Sequence, residues 1–314
     1  MLHLRIVSPP DRTAAVLDAL RGDPAVAGLS LLAGVALMPA GDLVLCDVAR
    51  EGANDIIEGL RGLNIHRDGS IAVEQVEVSL SDAAAAAESR APGYGSDAAV
   101  WEEVDARVRD ESVLTAGFLT LIVIAGLIAA VGLIEDAPIL IVGAMVVGPE
   151  FGPIAGLSVG LFKRRASRIR AALTTLAVGL TIAAASVLAA TALADALDLV
   201  SEGFSPEAQP LTGFIVDPSF LSFGVAFLAG IVGTLSLTQG KAGVLVGVLI
   251  SVTTIPAVAA IGVSGALGRW EDALGATVQL ALNLLALILA GVLTLWVQRA
   301  AWDRLIGLRP RRWS

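Results

Sequence analysis

The stretch VGAMVVGPEFGPIAGLSVGL, residues 142–161, decides how this chain is read. It is apolar enough to cross a bilayer, yet it carries Pro149, Glu150, Pro153 and glycines at 143, 148, 152 and 156. Each proline lacks a backbone N–H and obstructs the carbonyl about one turn earlier. Glycine permits close backbone approach and non-helical angles. In hydrocarbon, freed carbonyls are tolerated only where they meet protein, water or a bound ion. A charge at mid-depth costs roughly 2.5–3.5 kcal/mol on insertion scales. The stretch therefore predicts a broken helix whose interruption faces a polar interior.

Around it lie six apolar runs, at about 113–134, 137–161, 171–194, 218–238, 242–266 and 273–297. Each reaches the roughly 20 residues that a helix needs to span about 30 Å of hydrocarbon. Basic residues cluster in alternate connections: KRRASRIR at 163–170, Lys241, and the tail from 298 onward. The other three connections hold one basic residue, Arg269, and are acidic, with Glu135, Asp136, Asp195, Asp198, Glu202, Glu207, Asp217, Glu271 and Asp272. Lys and Arg mark cytoplasmic loops. Both termini are thus expected in the cytoplasm, with the protein multi-pass in the inner (plasma) membrane. The opening MLHLRIVSPPDRTAAV has Arg5 and two prolines, and lacks the continuous apolar core of a signal peptide.

The two halves of the membrane part resemble each other at a shift of 104 residues. AGLIAAVGL (125–133) lies over AGIVGTLSL (229–237), and VGAMVVGPEFGPIA (142–155) over VGVLISVTTIPAVA (246–259). Each half has three spans, an odd number, so the second is expected upside down relative to the first. Inverted repeats are a signature of secondary transporters, whose sites lie near the midplane at interrupted helices. Glu150 falls opposite Thr254 in this alignment.

At these residues the chain resembles an uncharacterised hydrophobic-domain family of bacterial and archaeal membrane proteins, a domain of unknown function. The resemblance rests on GAMVVGPEFGPI (143–154), ISVTTIPAVAAIG (250–262) and NLLALILAG (283–291). Where the family pattern carries a Pro-Pro pair, this chain has Ile255-Pro256. The family implies no activity.

Residues 1–82 read as a small α/β domain. LHLRIVSP is a strand, and DRTAAVLDALRGDPAVAG a helix capped by Asp11. Two strands follow, joined by a turn at 39–42. REGANDIIEGLRGLNI is a second helix, with Ile56, Ile57, Leu60 and Leu63 on one side, and GSIAVEQVEVSL the last strand. The order βαββαβ predicts a ferredoxin-like fold. Residues 83–99 read as a linker of small residues, 100–112 as an amphipathic helix, 113–298 as the six-helix membrane domain and 299–314 as a basic cytoplasmic tail.

Composition excludes several classes. Residues 1–111 hold 19 Asp/Glu against 9 Lys/Arg, the wrong balance for nucleic acid. A single cysteine, Cys46, and two histidines leave no Cys-rich metal site and no His-based zinc or copper site, and no cofactor is expected. A lipid-acting enzyme needs several convergent catalytic groups, whereas the spans offer one midplane carboxylate and no histidine.

The expected function is a transporter or channel for an ion or small polar solute, not an enzyme. Its site would be built from Glu150, Gly148, Pro149, Gly152, Pro153, Thr253, Thr254, Pro256 and Asn283. Glu150 would carry a proton or hold a cation, or else would only hydrogen-bond a neighbouring helix. The threonines and Asn283, with Gln279 one turn earlier, would supply polar contacts or simply join helices. The α/β domain would regulate the channel or assemble a homo-oligomer. The rival reading is a membrane-anchored sensor or scaffold whose α/β domain binds a ligand or partner.

Overall fold

The computed structural model describes residues 1–91, 98–200, 204, 209–212, 215, 220–240, 248 and 253–306. It divides into two units, Met1–Val104 with Arg299–Ser314, and Asp105–Gln298.

In the first unit the chain alternates apolar and polar residues from its start, so Leu2, Leu4 and Ile6 are buried while Arg5 is exposed. This makes β1 (Leu2–Ser8) a strand with one buried face. It is followed by α1 (Pro10–Arg21), β2 (Val26–Leu37), β3 (Ala40–Val48), a 3-10 turn at Arg50–Gly52, α2 (Ala53–Gly62), α3 (Ile65–Asp68) and β4 (Ser70–Gln75). The sheet runs β2-β3-β1-β4 with all pairs antiparallel. Leu4 stands opposite both Cys46 and Val73. Val16, Leu17 and Leu20 of α1 and Ile56, Ile57 and Leu60 of α2 close the core over these strands.

Some local details differ from expectation. Asp11 is not the cap of α1. Pro9 precedes the helix and Pro10 opens it, at a position whose N–H would lack a partner anyway. Asp11 sits in the first turn, where its charge suits the positive helix end. The hairpin turns earlier than 39–42, since β3 already begins at Ala40. Part of the expected linker is helical: α4 spans Asp82–Arg90, and the Ser81 hydroxyl accepts from the Ala84 N–H at 3.3 Å. A run of alanines behind a serine cap is enough to start that turn.

The division between the units falls within α5 (Trp101–Glu111). The second unit contains α6 (Ala116–Ile134), α7 (Pro138–Val147), α8 (Phe151–Phe162), α9 (Ala166–Ala196), α10 (Phe220–Gln239), α11 (Thr254–Ala266) and α12 (Trp270–Ile306) as far as Gln298. Among the described residues, four helices are long and apolar enough to cross a membrane: α6, α9, α10 and α12. A fifth span results if α7 and α8, bent by 53°, count as one. The expected break at 148–150 is therefore present. Of the run 242–266, residues 242–247 and 249–252 lie outside the described residues, so α11 represents its second half.

Small residues draw these helices together. Ala125 and Ala129 of α6, Ala183 and Val187 of α9, and Val258 and Ala259 of α11 share one core. Large apolar side chains point the other way: Leu121, Ile124 and Val131 of α6, Leu173 and Leu193 of α9, and Leu285 and Leu289 of α12 are exposed. Such surfaces are untenable in water at this extent and suit hydrocarbon. The chain is a membrane protein by this measure.

Candidate functional site

The break arises where helix propagation fails. Gly148 leaves α7 with extended backbone, and its N–H bonds the Ala144 carbonyl at 3.1 Å. Pro149 has no N–H to give the Met145 carbonyl, and Pro153 none to give the Pro149 carbonyl. Helix resumes at Phe151, with Glu150 in the cap position. Its side chain does not cap α8. It turns to α11 instead, where Oε1 accepts from the Thr254 hydroxyl at 2.6 Å.

Thr254 is the first residue of α11, and Thr253 the cap before it. The two helices begin 103 residues apart, one fewer than the shift that aligns the wider sequence. At this offset Pro153 and Pro256 each occupy the third helical position, and both are buried. A proline in the first turn gives up an N–H that no helical carbonyl would have taken.

A second polar link reaches α12. Asn283 Nδ2 donates to Thr253 Oγ1 at 2.8 Å, and Gln279 Nε2 donates to Asn283 Oδ1 at 3.3 Å. Glu150 is 3% exposed and Gln279 1%. The structure thus brings two sets of expected residues together: Gly148, Glu150 and Thr254, and Thr253 with Asn283. Gln279, a lesser candidate in the sequence, joins the second set. Within these two sets, two buried oxygens have no hydrogen-bond partner, Glu150 Oε2 and Gln279 Oε1. Oε2 lies so close to Gly148 that any side chain there would collide with it and with Ile255.

Gly152 serves another contact. A Cβ at this position would come within 2.6 Å of the Glu111 carbonyl oxygen, at the end of α5. Ser112 Oγ donates to the Gly152 carbonyl at 3.1 Å, and Thr175 Oγ1 donates to the Ser112 carbonyl at 2.8 Å. These two residues join α8 and α9 beside the break, and nothing in their sequence context singles them out.

Below this junction Asp105 takes three cations from the connection between α8 and α9. Lys163 Nζ and Arg168 Nη1 approach Oδ1 at 2.8 and 2.7 Å, and Arg165 Nη1 approaches Oδ2 at 3.2 Å. Burial raises the carboxyl's pKa, but hydrogen bonds and charge from Arg168 and Lys163 outweigh it, and the net direction is down. The basic run expected as an orientation signal therefore also carries a specific ion-pair cluster.

An apolar cavity of about 380 Å³ opens between α9, α11 and α12, lined by Leu180, Ala184, Leu188, Val258, Ile261 and Leu280 among others. It contains no charged side chain and is separate in character from the Glu150 cluster.

Residues 145–289, which include α8 to α11 and most of the break, match the family described as "Domain of unknown function (DUF389)". This bears out the resemblance to an uncharacterised family. The chain is 24% identical over 216 residues to an uncharacterized protein of Methanocaldococcus jannaschii, covering 68% of this chain and 61% of that protein. The chain thus spans about three fifths of that relative. No solved structure matches the chain.

Proposed function

We propose that this protein is a transporter or channel for an ion or small polar solute, with its site where the break before α8 meets the start of α11. The observation that carries this reading is the hydrogen bond between Glu150 and Thr254. It joins two interrupted segments at positions paired by the 104-residue shift of the sequence, one residue from the 103-residue register of the helix starts. Two three-helix halves of inverted topology would bring such positions together at mid-depth, where interrupted helices bind substrate. An acid is retained in the membrane core when it serves ion or solute passage. Chemistry on a substrate would call for further convergent groups.

In this reading both termini are cytoplasmic in the plasma membrane, with six spans in all. The first unit is a ferredoxin-like domain that regulates or assembles the membrane part as a homo-oligomer. Its βαββαβ order and β2-β3-β1-β4 sheet support that fold assignment.

The test is flux through proteoliposomes containing the full chain, measured for alkali cations and for small polar solutes. Passage above protein-free vesicles that falls at least about tenfold in Glu150→Gln is expected. Empty-vesicle behaviour for every solute overturns the reading. Topology is checked in a Cys46→Ser background with Ser167→Cys and Asp198→Cys. Only the first should be labelled from the cytoplasmic side, and labelling of both from one side would remove the inverted arrangement.

A further inference from the structure

We propose that Glu150 and the carbonyl end of α7 form a binding site for a dehydrated monovalent metal cation. The proposal deepens the transport reading and rests on it. Its argument begins with the unequal surroundings of the two carboxyl oxygens. Oε1 receives the Thr254 hydroxyl, whereas Oε2 has no partner although the side chain is buried. Oε2 lies against Gly148, the residue that ends α7.

A helix C-terminus is its negative end, because its last carbonyls find no donor within the helix. The Met145 carbonyl is one of these, and the residue one turn on, Pro149, has no N–H to offer it. An ionised, unpartnered carboxyl oxygen beside such a helix end is electrostatically unfavourable unless it takes up a proton or a metal cation lies between them. Oxygen donors of this kind, carboxylate and backbone carbonyl, are those that hard cations prefer.

Charge count selects the class. The ion pairs described in this unit lie at Asp105 with Lys163, Arg165 and Arg168, and at Arg269 with Asp272; none involves Glu150. One carboxylate balances one positive charge. A divalent ion would leave a surplus charge in a low-dielectric interior, which is strongly unfavourable. Among the described residues no three His, Cys, Asp or Glu side chains gather to offset it. An anion would meet Oε2 with no fixed cation beside it. The Thr254 hydroxyl positions the carboxylate, and Asn283 holds Thr253 next to it.

The experiment is a thermal-unfolding titration of the purified full-length protein in detergent, followed by tryptophan fluorescence. LiCl, NaCl and KCl are compared with choline chloride at equal ionic strength. At least one alkali chloride is expected to raise the midpoint saturably, as a ligand of the folded state must. The shift should vanish in Glu150→Gln, and half-saturation should rise about tenfold in Thr254→Val, as expected for loss of one hydrogen bond to a charged group. Identical responses of the wild-type protein to all four salts overturn the site, whether or not the variants fold. Flux of a polar solute without an alkali-specific shift overturns the site and leaves the transport reading standing. An alkali-specific shift that Glu150→Gln removes, without flux, supports the site and overturns transport.

Discussion

Glu150 and Thr254, separated by 104 residues of chain, share a 2.6 Å hydrogen bond between carboxyl and hydroxyl. The bond ties the cap of α8 to the first residue of α11, and each helix carries proline at its third position. No other described side chain donates to this carboxyl.

Removing the hydroxyl should therefore be felt. Thr254→Val is expected to lower stability by about 1.5–3 kcal/mol, the range for hydrogen bonds to charged groups. Thr254→Ser should retain most of it. Thermal unfolding in detergent checks both, and equal midpoints for the two variants would remove the bond from the account.

Glycines of the quoted stretch should divide by location. Gly152→Ala places a Cβ 2.6 Å from the Glu111 carbonyl oxygen and 2.7 Å from its Cβ. Overpacking of this kind costs about 1–3 kcal/mol. Gly143 faces open space within α7, so Gly143→Ala should be neutral or stabilising by up to about 1 kcal/mol. The same unfolding assay separates them.

Asp105 predicts a pH dependence. Its folded pKa lies below the ordinary carboxylate value, since the cations around it outweigh burial. A depressed folded pKa contributes stability above the unfolded value of about 3.9, and that contribution is lost as pH falls through the folded value. Asp105→Asn should thus be less stable than wild type near neutral pH, by about 1–3 kcal/mol. The gap should close in acid, and midpoints measured across that range decide it.

Cys46 should be silent. It is fully buried on β3, and burial followed by the neighbouring Asp47 charge pushes its thiol up to about 12. The reactive thiolate is then scarce at ordinary pH. Maleimide should label the protein only after denaturation, and labelling of the folded chain would contradict the placement of Cys46.

Much of this architecture is legible from periodicity. Leu2, Leu4 and Ile6 announce a half-buried strand, and Ile56, Ile57 and Leu60 a helix face, because burial imposes a period of two or of 3.6 on the chain. Gly148 and Pro149 announce the break because the backbone chemistry is local. The meeting of Glu150 with Thr254 could be anticipated only through the weak internal repeat. Other features left no such trace. Asp11 resembles a cap, but Pro10 opens the helix. Residues 83–90 look like a linker, but Ser81 and the alanines make a helix. The contacts of Gly152 with Glu111 and Ser112, and of Asp105 with Lys163, Arg165 and Arg168, join residues distant in sequence. Their pairing depends on tertiary packing, which no local pattern encodes.

Asp105 and Ser112 also set a rotational phase. They are seven residues apart, about two turns of helix, and so fall on one side of α5. Asp105 engages the basic connection, and Ser112, whose N–H continues the helix to the Val108 carbonyl, engages Gly152. One alanine inserted after Arg107 would twist one anchor about 100° away from the other. Chain length between these two residues is thereby as constrained as their identity.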